Sequence, residues 1–196
     1  MDQWIDFATL WSINSPSILI SCEAWGVPNN SPDEMTILHD QILSVGEATN
    51  VDPRFVLALI MQESTGCVRV ITTAYSHANP GLMQSFNGTG SCNTNPAALG
   101  IPGVPGDGVV QTPCPESEIR QQILDGTNGT VWGPGLVQDL AEQGREDESR
   151  WYRTARLYNG GSIVDADLSQ PCCTPSYASD VANRLMGWVK APRVFP

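Results

Sequence analysis

The run Phe55-Val56-Leu57-Ala58-Leu59-Ile60-Met61 offers water no polar face, so a helix there must be covered on most sides by the rest of the chain. Asp52-Pro53 starts it with an N-cap carboxylate and a proline, whose fixed φ and missing N–H suit the first helical turn. The run closes on Gln62-Glu63-Ser64, which puts a carboxylate at the edge of the most buried helix. Low dielectric disfavours the charged form there, so the pKa of Glu63 is expected to rise toward the range a general acid needs.

The elements that could cover such a helix are also helical. Trp4, Phe7 and Trp11 fall at helical spacing, and Asn14-Ser15-Pro16 is read as the stop. Ser31-Pro32-Asp33-Glu34 supplies an N-cap, a first-turn proline and a capping-box glutamate, followed by Ile37, Ile42 and Val45 as an apolar stripe. Helical patterning returns over 116–124, 135–143, 149–158 and 176–189, whereas 67–71 reads as one short strand. Between 65 and 111 regular pattern mostly vanishes and Gly, Pro and Asn take over, as in loops that build cleft walls. The expectation is a mainly α architecture of about seven helices with little sheet. With 196 residues and 41% hydrophobic content the chain can fill one core and is short for two, so 1–196 is read as a single domain.

A net charge of -11, with no Lys or Arg before Arg54, excludes the basic footprint of a nucleic-acid binder. No run approaches the 18 or so uncharged apolar residues of a membrane span, and residues 1–22 lack a basic n-region, so they are not a signal peptide as they stand. Cys22, Cys67, Cys92, Cys114, Cys172 and Cys173 show no zinc-type spacing, and His39 and His77 have no ligand partners in sequence, so no metal or cofactor is expected. An even cysteine count in a Gly, Pro and Asn-rich chain fits disulfides in an oxidising, extracellular compartment, and the sequons at Asn29, Asn87 and Asn128 are compatible with secretion. A bond between the neighbours Cys172 and Cys173 is set aside as strained, which leaves roughly a dozen of about 15 connectivities open. A Cys67–His77 peptidase pair is disfavoured because Cys67 is expected to be bridged.

After Glu63-Ser64 the chain reads Gly81-Leu82-Met83-Gln84 and, later, Arg156-Leu157-Tyr158-Asn159-Gly160-Gly161. In that order the set resembles the lytic transglycosylase and goose-type lysozyme superfamily. It is closer still to secreted fungal lysozyme-like muramidases, through Met61-Gln62-Glu63-Ser64 to Cys67-Val68-Arg69-Val70, Asn79-Pro80-Gly81-Leu82-Met83-Gln84 and Tyr177-Ala178-Ser179-Asp180-Val181-Ala182-Asn183-Arg184-Leu185. The similarity runs from about residue 20 to residue 190. It implies a lysozyme-like domain, most simply a monomer, that cleaves the β-1,4 bond between N-acetylmuramic acid and N-acetylglucosamine in peptidoglycan glycan strands.

Cleavage of that bond needs a proton donor on the leaving oxygen and a way to meet the oxocarbenium-like charge at the anomeric carbon. Glu63 is the expected acid. The resemblance implies substrate contacts from Ser64, Tyr75, His77, Met83, Gln84, Tyr158 and Asn159, with Tyr158 touching the catalytic carboxyl. The dull readings are a capping role for Ser64, packing for Met83, and a core aromatic with a capping amide for Tyr158 and Asn159. The Trp residues at 4, 11, 25, 132, 151 and 188 are read mostly as core. The stretch between Glu63 and Gly81 holds no Asp or Glu, although goose-type lysozymes place water-positioning aspartates there. Asp107 and Asp125 are the candidates from elsewhere. Without such a base the substrate's own groups could attack and leave a 1,6-anhydro end, so the transglycosylase outcome stands beside hydrolysis, followed by chitin cleavage and by a non-catalytic glycan-binding module.

Overall fold

The apolar run forms α3, Pro53–Glu63, capped by the Asp52 carboxylate on the Arg54 N–H, and every side chain from Phe55 to Met61 is at most 2% exposed. Burial of each large apolar side chain in it contributes about 1.5–3 kcal/mol, so α3 is the axis on which the rest is assembled. The computed structural model describes residues 1–74, 77–94, 108–164 and 166–189. Three helices lie against α3: α1 (Phe7–Leu19), α2 (Pro32–Thr49) and α7 (Tyr177–Leu185). α4 (Glu116–Asn128) packs on α2, and α5 (Leu136–Glu142) and α6 (Ser149–Gly160) lead in a chain of contacts from α4 back to α7. A 3-10 turn at Ser21–Trp25 and an antiparallel pair, β1 (Thr73–Ala74) with β2 (Ala78–Asn79), complete the described elements. This is the mainly helical domain expected from the pattern.

Local sequence explains most boundaries. The Ser31 hydroxyl accepts from the Glu34 N–H while the Glu34 carboxylate accepts from the Ser31 N–H, a closed capping box. α6 ends on Gly161 at φ 67°, whose N–H returns to the Leu157 carbonyl, a left-handed cap that glycine adopts without Cβ strain.

Two boundaries correct the reading of the sequence. Pro16 does not stop α1, which continues to Leu19. Ile18 is wholly buried against Gly66, and the Asn30 amide holds the Ile18 carbonyl, so tertiary packing retains the turn that proline disfavours. Residues 67–71 are not a strand but a buried turn, in which the Val68 N–H donates to Asn30 and the Arg69 carbonyl accepts from Asn93.

The disulfides are Cys22–Cys67, Cys92–Cys114 and Cys172–Cys173. The last overturns the exclusion of neighbouring cysteines: the four buried cysteines pair with one another, leaving the two exposed ones only each other. Cys22–Cys67 fastens the 3-10 turn to the chain just after Glu63. Closing loops of these lengths contributes about 3–4 kcal/mol each for the two long-range bonds in the chain-entropy view.

The buried Arg69 is the second fastening. Its guanidinium pairs with Glu34 and donates to the Gln111 carbonyl and the Thr112 hydroxyl, so the start of α2, the turn after α3 and the approach to α4 meet on one cation.

Candidate active site

A cleft of about 870 Å³ opens where α3, the 81–84 turn, α5 and α6 converge. Glu63 lines it together with Gln84, Tyr158, Asn159, His77 and Asp139. The three stretches that stand far apart in sequence are therefore brought to one place.

Glu63 sits in the last turn of α3, partly open to the cleft, with its back to the apolar core. Burial raises its pKa from the ordinary 4.5 to about 7, and a hydrogen bond from the Tyr177 hydroxyl to Oε1 works the other way by favouring the charged form. Among the described residues no other side chain bonds this carboxyl, so Oε2 remains for a ligand. A carboxyl with a pKa near 7 carries its proton at mildly acidic and neutral pH and can give it up, which is the demand on a general acid.

The tyrosine that contacts the acid is Tyr177, not Tyr158 as the resemblance implied. Tyr158 donates instead to the Met83 carbonyl at 2.7 Å, tying the end of α6 to the 81–84 turn. Burial pushes both tyrosines above their ordinary value, and the Glu63 charge adds to this, so both remain neutral donors. Gly126 makes the Tyr158 bond sterically feasible: a Cβ there would stand 2.5 Å from the Met83 Cβ and 2.8 Å from the Tyr158 hydroxyl.

Asn159 follows from the buried cation beneath it. Its Oδ1 accepts from the Arg156 guanidinium and from the Thr174 N–H at 3.1 Å, which fixes the amide by its oxygen. Among the described residues the NH₂ group has no acceptor, and as part of a residue that lines the cleft it is suited to a carbonyl such as an N-acetyl group.

Several expected contacts resolve differently. The Gln84 amide is already spent: Nε2 donates to the Ile71 and Gly81 carbonyls and Oε1 accepts from Thr73, so Gln84 braces the cleft wall. Ser64 is 2% exposed, with its hydroxyl between the Ile60 carbonyl and the Gly66 N–H; it caps α3 and does not reach the cleft. The Met83 side chain is wholly buried and packs, accepting from the Thr127 hydroxyl at 3.6 Å. His77 does line the cleft, with its ring 3.8 Å from that of Phe86. Tyr75 and Asp107 lie outside the described residues. Asp125 is engaged by the Thr89 and Gly90 N–H groups and by Gln121, which makes it a brace for the loop at 89–90. Of the tryptophans, Trp4 and Trp151 are core, while Trp132 and Trp188 are about two-thirds exposed.

Tyr177, which bonds Glu63, and Asp139, which lines the cleft, were not singled out from sequence. Tyr177 stood inside the quoted 177–185 stretch, but nothing local distinguishes it from Tyr158. Asp139 left a clearer trace: with Leu136 and Leu140 it shares the apolar stripe of α5, where an acid is out of place.

No protein-family model matches the chain, and neither a curated protein nor a solved structure matches it. Among the described residues no helix is long and apolar enough to cross a membrane, and the disulfides are compatible with an extracellular protein.

Proposed function

We propose that the protein is a secreted muramidase that hydrolyses the β-1,4 bond between N-acetylmuramic acid and N-acetylglucosamine in peptidoglycan, with Glu63 as the general acid. The observation that carries the reading is Glu63 itself: a carboxyl lining a large cleft, its pKa lifted to about 7 by burial and its orientation held by Tyr177. The order of Glu63-Ser64, Gly81-Leu82-Met83-Gln84 and Tyr158-Asn159, and their convergence on that cleft, support the substrate class.

In this reading a glycan strand lies along the cleft with an N-acetyl carbonyl on the Asn159 NH₂. Glu63 gives its proton to the bridging oxygen as that bond breaks, and the carboxylate left behind stabilises the positive charge developing at the anomeric carbon. The Tyr177 hydroxyl steadies the carboxylate once the proton has gone.

Purified protein and Glu63→Gln are incubated in parallel with bacterial peptidoglycan, and the soluble fragments are identified by mass spectrometry. Reducing N-acetylmuramic ends that are absent from the variant digest are expected. Ends carrying a 1,6-anhydro ring would make the enzyme a transglycosylase, and no release by the unmodified protein would overturn the reading.

A further inference from the structure

The third disulfide differs from the other two in what closing it can do. Cys22–Cys67 and Cys92–Cys114 join buried cysteines 45 and 22 residues apart, whereas Cys172–Cys173 joins neighbours, and both of its cysteines are exposed. The stabilisation that a disulfide draws from the unfolded chain grows with the loop it closes, and this one closes almost none. Cysteine is ordinarily withdrawn from water, so a bridged pair displayed on the surface calls for another account.

Its place supplies one. Cys173 lines the cleft with Glu63, Asn159 and Thr174. The end of α6 seats the pair from both sides: Cys172 Sγ lies 3.7 Å from the Gly160 carbonyl oxygen, and the Thr174 N–H donates to Asn159 Oδ1 at 3.1 Å. The Thr174 carbonyl accepts from the buried Arg156 guanidinium at 3.0 Å, and the same cation donates to Asn159 Oδ1. One buried side chain thereby holds the disulfide segment and the Asn159 amide in the same stretch of cleft wall. The Asn159 NH₂ group, with no acceptor among the described residues, supplies a donor there. The bridged sulfurs carry no proton and supply a polarisable surface that accepts only weakly.

We propose that the Cys172–Cys173 disulfide is a substrate-contact surface that selects N-acetylated sugars: it seats the methyl of the acetamido group whose carbonyl accepts from the Asn159 NH₂. This deepens the muramidase reading and rests on it. An acetamido group carries its carbonyl oxygen and its methyl on one carbon, so a donor next to an apolar surface matches both at once. A free amino sugar offers neither, because its ammonium would meet a second donor and an apolar surface with no acceptor for its protons.

The test compares soluble glycan fragments of peptidoglycan with the same fragments after partial chemical N-deacetylation. The disulfide is removed in two ways. One is Cys172→Ser together with Cys173→Ser. The other is reduction of the unmodified full chain by a small thiol: two thiol molecules give up two electrons and two protons, leaving one thiol-derived disulfide and two cysteine thiols. Peptide mass spectrometry after alkylation of a sample verifies that the two buried disulfides stay closed. In both forms KM for the N-acetylated fragments is expected to rise about 3- to 10-fold with kcat little changed, the signature of a lost binding contact. The preference in kcat/KM over deacetylated fragments is expected to shrink by a similar factor, and reoxidation to return the parent values. If the serine variant fails to fold, the reduced and reoxidised protein carries the comparison.

Free thiols at 172 and 173 in the untreated protein would overturn the proposal. So would parental KM and preference in both forms, with or without a lowered melting temperature, which would make the disulfide structural. A loss confined to kcat would overturn it too, by moving the effect to Tyr177 and Glu63. In each of these cases Glu63-dependent cleavage would still stand. Absence of cleavage by the unmodified protein would overturn the muramidase reading and the proposal together.

Discussion

Glu34 and Asp139 are withdrawn from water to the same degree, at 1% and 2% exposed, and they end in opposite chemical states. Burial disfavours both charges. At Glu34 the Ser31 and Cys114 N–H groups and the Arg69 guanidinium more than offset that cost and hold the carboxyl below its ordinary value. At Asp139 Oδ1 has no donor among the described residues, and burial lifts the carboxyl to about 7. Glu63 stands between them, with one donor and a pKa still raised to about 7. In this molecule donor supply decides what a buried acid is for: saturated, it joins three segments of chain; unsaturated in a cleft, it is left able to exchange a proton.

The widest separation of the two regions is expected in activity. Glu63→Gln removes the proton donor and should cut glycan release about 10²–10⁴-fold, while the denaturation midpoint at acidic pH, where Glu63 is protonated, stays close to that of the parent. Arg69→Met does the reverse, because it strands the Glu34 charge without its cation. Losing one partner of a buried pair costs about 3–5 kcal/mol, so the urea midpoint should drop sharply while the rate per folded molecule holds. A Glu63→Gln variant as active as the parent would break the comparison outright.

Stability against pH sharpens it. The folded pKa of Glu34 lies below its ordinary 4.5, so its contribution is present above that pH and fades as pH falls through the folded value. Glu63 and Asp139 lie above their ordinary 4.5 and 3.8, so their contribution is complete below those values and is lost as pH rises toward about 7. The melting temperature should therefore fall from mildly acidic to neutral pH. Asp139→Asn, which cannot titrate, should flatten that fall, and Glu34→Gln should instead flatten the acid side. Differential scanning calorimetry across pH reads both limbs, and an unchanged neutral limb in Asp139→Asn would mean that the carboxyl is solvated.

How much of this was legible in the sequence follows the same division. The frame was readable because its signals are local: Ser31-Pro32-Asp33-Glu34 and Asp52-Pro53 name their own helix starts, and the apolar run before Glu63 announces its burial. Pro16 was misread because the burial of Ile18 against Gly66, a contact made 48 residues along the chain, outweighs proline's local preference. At the cleft, Glu63 was legible as the end of a buried helix, and the convergence of Gln84, Tyr158 and Asn159 on it was expected. Which tyrosine reaches Glu63 depends on how α7 meets α3, and no residue near Tyr158 or Tyr177 encodes that crossing. Asp139 was legible in principle as an acid on an apolar stripe. Its missing donor was not, because absence of a partner is a property of the assembled fold.

The smallest expected effect tests the middle case. The Tyr177 hydroxyl donates to Glu63 and so favours the carboxylate, while burial favours the acid and prevails. Tyr177→Phe removes the donor and leaves the apolar surroundings, which should move the Glu63 pKa further up. Activity that needs the protonated acid is lost as pH rises through that pKa, so the alkaline limb of the cleavage profile should shift to higher pH. The acidic plateau should fall only about 2- to 10-fold, the worth of one ordinary hydrogen bond. Tyr158→Phe is the control, since its hydroxyl serves the Met83 carbonyl and should leave the limb in place. A limb that moved in Tyr158→Phe and not in Tyr177→Phe would reassign the partner of Glu63. A limb that moved in neither would leave burial alone to set its pKa, and Glu63 would then resemble Asp139 more closely than its single donor suggests.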